Sequence, residues 1–345
     1  MKALVLREIG RPDRLEVAEL PPPPDPGPGE VRVRIRMAAL NRLDLFVANG
    51  LPGVPPSLPH VAGADGAGVV DAVGPGVTGV GPGDSVMINP GISCGVCPAC
   101  RAGEQPLCRS FAILGEHRFG TFAEYVVVPA VNLAPLPHSF CWAEAAAFSL
   151  ATLTAWRMLT TRARLAPGET VLIWGAGGGV ALAAVQIARL AGAFVVVAGS
   201  SERKLETARR LGADVAIDHT AEDIVAEVRR LTGGRGADVV VDSVGEATWP
   251  TSLRALARGG RLVTCGATSG PMVGIDVRKL FWHQWTILGS TMGSHREYAA
   301  ITALAQRGLL RPPVDSVIPL ADAPAAYERL AKGGHTGKLV LEVTA

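Results

Sequence analysis

A glycine-rich turn between an apolar strand and an apolar helix constrains the fold of this chain more than any other feature. Residues 170–200 read TVLIWGAGGGVALAAVQIARLAGAFVVVAGS, which is a strand, a glycine turn, a helix and a second strand. Uninterrupted apolar strands that alternate with helices are typical of a parallel sheet buried on both faces. The alternation continues at 213–219, 237–245, 261–269 and 285–292. The sequence therefore predicts an α/β domain with a doubly wound parallel six-stranded sheet, an arrangement that binds dinucleotides.

The glycine turn is where a pyrophosphate binds in such a domain. Glycines let the backbone approach the phosphates, and the helix N-terminus offers free N–H groups and a partial positive charge. Aligned on the helix, the three key positions of Gly-x-Gly-x-x-Gly fall at Ala176, Gly178 and Ala181. A glycine run alone also fits a flexible turn, but a strand before it and a helix after it favour cofactor binding. The predicted cofactor-binding residues of the turn are Gly175, Ala176, Gly177, Gly178, Gly179 and Val180.

The end of the second strand distinguishes NAD from NADP, because NAD enzymes place an acidic residue there to hold the ribose 2′-hydroxyl. The residues at this point are Gly199, Ser200, Ser201, Glu202, Arg203 and Lys204. Glu202 comes slightly late for the acidic role, whereas two small hydroxyls and two cations suit a 2′-phosphate. The alternative is that a serine caps the next helix and the charges face solvent. We expect NADP(H) to be preferred, with Ser200, Ser201, Arg203 and Lys204 among its contacts.

Four of the six cysteines fall within fifteen residues, in CGVCPACRAGEQPLC. Such a cluster indicates metal binding rather than disulfides in a cytosolic chain. Four thiolates in a short Gly/Pro-rich loop can surround one tetrahedral ion, and a site with four cysteine ligands is closed and structural. The sequence predicts one structural zinc per chain, held by Cys94, Cys97, Cys100 and Cys108.

The first 145 residues have the signals of short strands joined by tight loops. Prolines crowd this part, VRVRIRMAAL (31–40) alternates apolar and charged residues, and FAEYVVVP (122–129) is a second strand. These features predict an irregular β-barrel. A final strand, GKLVLEV (337–343), is expected to return to this first domain.

The four-cysteine lobe, GADGAGVV, the dinucleotide turn, ILGST and GKLVLEV together resemble the zinc-type medium-chain dehydrogenase/reductase superfamily, which includes alcohol dehydrogenases and quinone oxidoreductases. The resemblance covers essentially the whole chain. It implies a GroES-like catalytic domain (1–150 and 293–345) carrying a zinc lobe (91–110), and a Rossmann domain (151–292). It also implies an active site in the cleft and a homodimer, formed through edge strands near 288–292.

The resemblance also locates three positions that hold a catalytic zinc in the family's alcohol dehydrogenases. This chain has Asn41, Ala64 and Leu150 there, and Asp65 replaces the family's usual glutamate. Leu43 replaces the proton-relay hydroxyl. Zinc prefers thiolate and imidazole ligands, with carboxylates third, and these three side chains provide none of them. We expect the glycine turn around Asp65 to be kept without a catalytic metal.

Without a metal ion, an alkoxide lacks its stabilising partner, so acceptors that are already electrophilic are favoured. The stretch AALNRLDLF resembles the zinc-less quinone reductase branch of the family, which also has asparagine in the first ligand position. We therefore expect NADPH-dependent hydride transfer to a quinone or an α,β-unsaturated carbonyl, with Asn41, Asp65 and Thr154 as catalytic candidates. One alternative is an alcohol dehydrogenase with a shifted metal site at Asp65 with Asp44 or His60. Another is a cofactor-binding sensor with little catalysis.

The resemblance extends the list of candidate cofactor contacts. Arg42 is a candidate for the phosphates, and Lys338 matches a basic position near the pyrophosphate. Thr154 matches a threonine that packs against the nicotinamide. The strand ends that close over the cofactor carry Ser243, Val244, Cys265, Gly266 and Ser290.

Composition excludes several partners. The net charge is only +2, so nothing indicates nucleic acid or an anionic membrane. No apolar run approaches the roughly 18 residues of a membrane span. The N-terminal MKALVLREIG is a strand broken by charges rather than a signal peptide, so a cytoplasmic protein with a small-molecule substrate is expected.

Overall fold

The computed structural model describes residues 1–51 and 57–344. The chain divides into two compact units, one formed by Met1–Ala151 with Gly293–Ala345 and the other by Thr152–Met292. The first unit is thus built from two segments of the chain. The second is one continuous segment.

The strands and helices alternate as the sequence analysis expected in the second unit, and strands dominate the first. The strands are Lys2–Leu6 (β1), Glu16–Glu19 (β2), Glu30–Ala39 (β3), His60–Val61 (β4), Asp65–Val73 (β5), Ser85–Ile88 (β6), Gly91–Ile92 (β7), Ala112–Ile113 (β8), Tyr125–Pro129 (β9), Leu133–Pro135 (β10), Thr170–Trp174 (β11), Phe194–Gly199 (β12), Val215–Asp218 (β13), Ala237–Val241 (β14), Leu256–Thr264 (β15), Thr286–Gly289 (β16), Val314–Pro319 (β17) and Lys338–Glu342 (β18). The helices are Arg42–Asn49 (α1), Pro98–Arg101 (α2), Trp142–Trp156 (α3), Gly179–Leu190 (α4), Glu202–Arg210 (α5), Ile224–Leu231 (α6), Trp249–Ala255 (α7), Val277–His283 (α8), His295–Gln306 (α9) and Ala323–Lys332 (α10). A π-helical stretch, Arg157–Arg162, continues α3. Within the described ranges, none of the helices has both the length and the apolar character needed to cross a bilayer.

The second unit contains a six-stranded parallel sheet with the order β13-β12-β11-β14-β15-β16. Its central strands are apolar on both faces: Val171, Leu172, Val196 and Val240 are fully buried. The strand order reverses between β11 and β14, and the glycine turn directly follows the carboxyl end of β11. Ligands bind at such a point in this fold. The predicted doubly wound sheet is confirmed.

The first unit is organised around β3, the longest strand. β3 pairs with β5, β9 and β18, and the main sheet runs β10-β6-β5-β3-β18-β17. The alternating pattern of β3 buries Val31, Val33 and Ile35 completely, because one face of the strand packs on the core. β18 lies between β3 and β17 in this sheet, so the C-terminal segment returns to the first unit.

Candidate functional site

Strand register brings three polar side chains to one face of the first unit's main sheet. β18 runs antiparallel to β3 with Val340 opposite Ala39, and the same register continued by two residues sets Lys338 opposite Asn41. On the other side of β3, Asp65 lies opposite Ala39. Residues two apart on a strand share a face, so Asn41, Asp65 and Lys338 meet there.

These three residues form a buried hydrogen-bonded group, called here the Asn–Asp–Lys cluster. Lys338 Nζ donates to Asn41 Oδ1 at 2.5 Å and to Asp65 Oδ2 at 2.9 Å. Asn41 Nδ2 donates to the same Asp65 oxygen at 3.0 Å and to the Ala39 carbonyl at 3.2 Å. Asn41 is 8% exposed, Asp65 0% and Lys338 4%. A buried ion pair is costly to desolvate, and only good geometry with further hydrogen bonds offsets that cost.

The three positions expected to hold zinc in the family's alcohol dehydrogenases lie at or next to this cluster. Asp65 Oδ1 accepts the main-chain N–H of Leu150 at 2.7 Å, Ala64 directly precedes Asp65 and is fully buried, and Asn41 is a member. The side chains offered there are an amide, a methyl and an isobutyl group, which do not fit zinc. Among the described residues, the ligand-type side chains close enough together to hold one ion are those of the cysteine lobe.

A second buried carboxyl group supports the cluster from α1. Asp44 accepts the Asn41 N–H at 2.7 Å and the Gly63 N–H at 3.2 Å. Burial raises the pKa of Asp44 to about 7, although these backbone hydrogen bonds act to lower it. Gly63 has φ +102°, and a Cβ built on it would lie 2.5 Å from the ring of Phe122. The turn before Asp65 therefore needs glycine for its own geometry, whether or not a metal is bound.

The cysteine lobe gathers four sulfur atoms. The Sγ atoms of Cys94, Cys97, Cys100 and Cys108 all lie within 4.8 Å of one another, and Cys100 Sγ is 3.5 Å from Cys97 Sγ and 3.9 Å from Cys94 Sγ. Zn–S bonds of about 2.3 Å in a tetrahedron place sulfurs about 3.8 Å apart. Backbone N–H groups, that of Val96 first, lower the pKa of the Cys94 thiol to about 6, which favours the thiolate that zinc requires. The lobe fits a structural zinc.

The dinucleotide turn has the shape that a phosphate needs. Gly175 has φ +90°, and a Cβ built on it would meet nothing within 4 Å. Gly178 precedes the first residue of α4, so the free N–H groups of this helix begin at the turn. Open space above a glycine at a helix N-terminus fits a pyrophosphate.

Lys204 lies over the same turn. A Cβ built on Gly177 would be 2.7 Å from Lys204 Cδ, so the lysine stem packs on the glycine backbone. Ser201 stands directly before α5, and its carbonyl accepts the Lys204 N–H at 3.0 Å. Ser200 and Arg203 are exposed beside it. The structure thus places Lys204 over the turn, and cofactor contacts of Ser200, Ser201, Arg203 and Lys204 stay a prediction.

Five further predicted cofactor contacts follow the carboxyl ends of β14, β15 and β16, and they are Ser243, Val244, Cys265, Gly266 and Ser290. The Ser290 hydroxyl is buried and has no hydrogen-bond partner among the described residues, which fits a partner supplied by a bound molecule. Burial raises the pKa of the Cys265 thiol to about 12, so it is neutral. We expect it to act by packing rather than as a nucleophile.

Sequence reasoning missed a carboxylate that fixes the loop after β14. Asp242 is fully buried and accepts the N–H groups of Val244 at 2.9 Å and Gly245 at 3.1 Å. It also accepts the hydroxyls of Thr248 at 2.8 Å and Ser252 at 2.6 Å. The signal was present as an Asp directly after an apolar strand, with one hydroxyl residue at the N-cap of the following helix and another inside it.

The remaining candidates keep the status of predictions. Thr154 is 5% exposed, and its hydroxyl lies 3.9 Å from Met292 Sδ. Arg42 is exposed on α1, and its Nη2 is 3.5 Å from a Cβ built on Gly333. Lys338, expected near the pyrophosphate, has its ammonium held in the Asn–Asp–Lys cluster, which the sequence alone did not indicate.

A doubly wound dinucleotide-type domain, joined in one chain to a strand-rich unit with a four-cysteine lobe, defines a zinc-type medium-chain dehydrogenase/reductase. The chain belongs to that superfamily. Residues 27–138 match the family described as alcohol dehydrogenase GroES-like domain, and residues 179–307 match zinc-binding dehydrogenase. It is therefore an NAD(P)-dependent oxidoreductase.

Three similar proteins differ in their named activities. A crystal structure of an NAD-dependent alcohol dehydrogenase is 50% identical, with a TM-score of 0.95 and 100% of both chains covered. Crotonyl-CoA reductase from Streptomyces avermitilis is 32% identical over 81% of this chain and 67% of its own length. Quinone oxidoreductase from Pseudomonas aeruginosa is 34% identical over 88% of this chain and 87% of its own. The family is shared by all three, whereas the substrate is not.

Proposed function

We propose that this protein transfers hydride from NADPH to an α,β-unsaturated carbonyl compound or a quinone without a catalytic zinc. The observation that carries the proposal is the Asn–Asp–Lys cluster. The three positions at which a metal would be expected lie at or next to it, and their side chains, an amide, a methyl and an isobutyl group, are not ligands that zinc prefers. The similarity to a crotonyl-CoA reductase and a quinone oxidoreductase supports the same substrate chemistry.

The chemistry follows from where the negative charge goes. Hydride adds to the β-carbon of an enone, the C=C π pair shifts to the bond between the α-carbon and the carbonyl carbon, and the carbonyl π pair becomes the enolate oxyanion. Water then returns a proton to the α-carbon. With a quinone, the charge develops on an oxygen of the hydroquinone anion. Conjugation spreads this charge, so hydrogen-bond donors suffice to stabilise it. Asn41, Asp65 and Thr154 are the proposed catalytic residues.

The second unit is proposed to hold the cofactor. The glycine turn and the N-terminus of α4 would bind the pyrophosphate, and the unpartnered Ser290 hydroxyl would contact the bound molecule. The nicotinamide supplies the hydride when bound. Ser200, Ser201, Arg203 and Lys204 would bind a 2′-phosphate, which favours NADPH over NADH.

The zinc of the cysteine lobe is proposed to be structural, because four thiolates leave no open coordination position. Such a site also favours a reducing compartment such as the cytoplasm. A homodimer is proposed through β16, an edge strand of the six-stranded sheet, since Phe281 and Trp282 of α8 in the same unit are each 66% exposed. Large exposed apolar side chains near a free strand edge are typical of an interface.

An alcohol dehydrogenase is the second candidate, favoured by the 50% identity to the structure that bears that name. It would need a shifted metal at Asp65 with Asp44 or His60. In the structure, His60 Nε2 lies 3.0 Å from the Gly115 carbonyl, and both carboxylates are occupied by N–H groups or Lys338. Zinc stoichiometry separates the two candidates: one zinc per chain supports the reductase and two support the alcohol dehydrogenase.

The experiment is a screen of acceptors that follows NADPH oxidation by its absorbance. The probes are 1,4-benzoquinone, 2-cyclohexen-1-one and crotonyl-CoA, with simple alcohols and NADP⁺ for the reverse class. Turnover of at least one conjugated acceptor by protein with one zinc is the expected result. Saturable NADPH binding without oxidation by any acceptor would show a binding module instead and refute the proposal.

A further inference from the structure

We propose that the ammonium of Lys338 is the group that binds the acceptor's oxygen and stabilises its negative charge during hydride transfer. This inference rests on the proposed function and deepens it, because it assigns to a side chain of this protein the electrostatic role that a metal ion would otherwise play. Our sequence-based expectation that Lys338 contacts the cofactor pyrophosphate is the alternative that the experiment below separates from it.

The first support is the hydrogen-bond inventory of the ammonium. A lysine ammonium has three N–H donors. Within the described residues, two are directed to Asn41 Oδ1 and Asp65 Oδ2. The third is left for an oxygen of the substrate.

The second support is that the partners of Lys338 are themselves held in place. Asp65 Oδ1 accepts the Leu150 N–H, and Asn41 Nδ2 donates to the Ala39 carbonyl, which turns Asn41 Oδ1 toward the ammonium. Asp44 fixes the main chain of Asn41. Donors held in advance in a site shielded from water need no rearrangement when charge develops, which is the most effective form of electrostatic catalysis.

The third support is charge. Asp65 balances Lys338 in the resting protein, so the pair is neutral in a site where both side chains are almost fully buried. An enolate or hydroquinone anion brings a new negative charge, which the ammonium can bind while Asp65 remains hydrogen-bonded to Asn41 and Leu150. A charge is felt more strongly at low exposure, because solvent screens it less.

The reaction balances without any group beyond the proposed reductant. The β-carbon would receive one hydride, which bound NADPH would supply as it is oxidised to NADP⁺. The C=C π pair becomes the α-carbon–carbonyl-carbon π bond, and the carbonyl π pair becomes the oxyanion hydrogen-bonded to Lys338. Protonation of the α-carbon by water completes the reduction.

The test compares Lys338→Met, Lys338→Arg and a control, Lys332→Met. Lys332 lies on α10 with a side chain 77% exposed, so its replacement changes the charge equally without touching the cluster. Each variant is assayed with 2-cyclohexen-1-one and 1,4-benzoquinone, and NADPH affinity is measured separately by fluorescence titration. Losing one oxyanion donor typically lowers kcat about 10²–10³-fold.

We expect Lys338→Met to lower kcat by about that factor with the enone and by less with the quinone, because the hydroquinone anion is less basic than an enolate. The dissociation constant for NADPH should stay within about twofold, Lys338→Arg should recover part of kcat, and Lys332→Met should match the wild type. If Lys338→Met does not fold, Lys338→Met combined with Asp65→Asn removes both charges, and the arginine variant keeps the ion pair.

Unchanged kcat at saturating NADPH, or a loss confined to NADPH affinity, would overturn the inference, and the second result would return Lys338 to the phosphate role. An equal fall with both acceptors would also count against it. If the wild-type protein reduces neither acceptor, the proposed function itself fails, which is a different outcome from a variant that retains full turnover.

Discussion

Replacing Asp65 with alanine tests whether the Asn–Asp–Lys cluster is a coupled buried network. The substitution removes the acceptor of three donors: Lys338 Nζ at 2.9 Å, Asn41 Nδ2 at 3.0 Å and the Leu150 N–H at 2.7 Å. Breaking a buried ion pair by deleting one partner costs about 3–5 kcal/mol, since a charge is left uncompensated. Lys338 keeps its bond to Asn41 Oδ1, so we expect a loss of about 4 kcal/mol in the free energy of unfolding.

The assay is urea unfolding followed by circular dichroism, combined with hydrogen exchange of peptides from β3 and β18 to assign the change to the first unit. Asp71→Ala is the matched control, because Asp71 lies on the same strand and pairs with Arg32 at 2.6 Å. The side chains of Asp71 and Arg32 are 31% and 22% exposed, whereas that of Asp65 is 0% exposed. Such pairs contribute about 0.2–1 kcal/mol.

A double variant sharpens the test. Adding Lys338→Met to Asp65→Ala removes the orphaned charge, so part of the lost stability should return, with a coupling free energy of about 3 kcal/mol. If Asp65→Ala costs no more than Asp71→Ala, or if the two changes are additive, the cluster is not an energetic unit and the reasoning is wrong.

Three further predictions address other parts of the molecule. Cys100→Ser should lose the single zinc and open the lobe, measured by metal analysis and by proteolysis between residues 91 and 110; retention of a full zinc equivalent would refute the four-thiolate assignment. Burial raises the pKa of Asp44 to about 7 in the folded state, so between about pH 4 and 7 the folded protein holds a proton on this carboxyl group that the unfolded chain has lost. The contribution of this group to the free energy of unfolding is therefore greatest below about pH 4 and falls as the pH rises to 7. Over this range the free energy of unfolding of the wild type should fall by on the order of 4 kcal/mol relative to that of Asp44→Asn. Parallel pH profiles of the two proteins would contradict this prediction. Ser200→Asp should reduce kcat/KM for NADPH at least about tenfold relative to NADH, because an acid repels a 2′-phosphate and holds a 2′-hydroxyl; an unchanged ratio would show that this strand end does not read the phosphate.

The fold could be predicted from the sequence because the patterns that determine it lie within short stretches of the chain. The apolar strands around the glycine turn and the alternation of β3 determine which faces are buried, and both need only a short window of sequence. The cysteine lobe was equally accessible, since its four ligands lie within one loop. The structure confirmed the predicted six-stranded sheet, and the comparisons confirmed the superfamily.

The Asn–Asp–Lys cluster could be predicted only in part from the sequence. Asn41 and Asp65 were identified as replacements in an expected ligand set, whereas the hydrogen bonds of Lys338 to both of them were not predicted; its expected contact with the pyrophosphate stays a prediction. Its contact with Asn41 joins residues 297 positions apart and depends on the register of β18 against β3, which no short window contains. The buried carboxylate Asp242 was missed for a related reason, because its hydroxyl partners, the N-cap Thr248 and Ser252 of α7, follow it by six and ten residues.

The pairing of β3 with β18 has a consequence for how the protein is made. While the ribosome is still adding the intervening residues, β3 has emerged without one of its neighbours, and the continuous segment Thr152–Met292 is free to fold first. During this interval one edge of β3 stays open to wrong partners. At high expression rates the first unit should therefore misfold before the second does, and chaperones that shield nascent strands should increase the yield of folded protein.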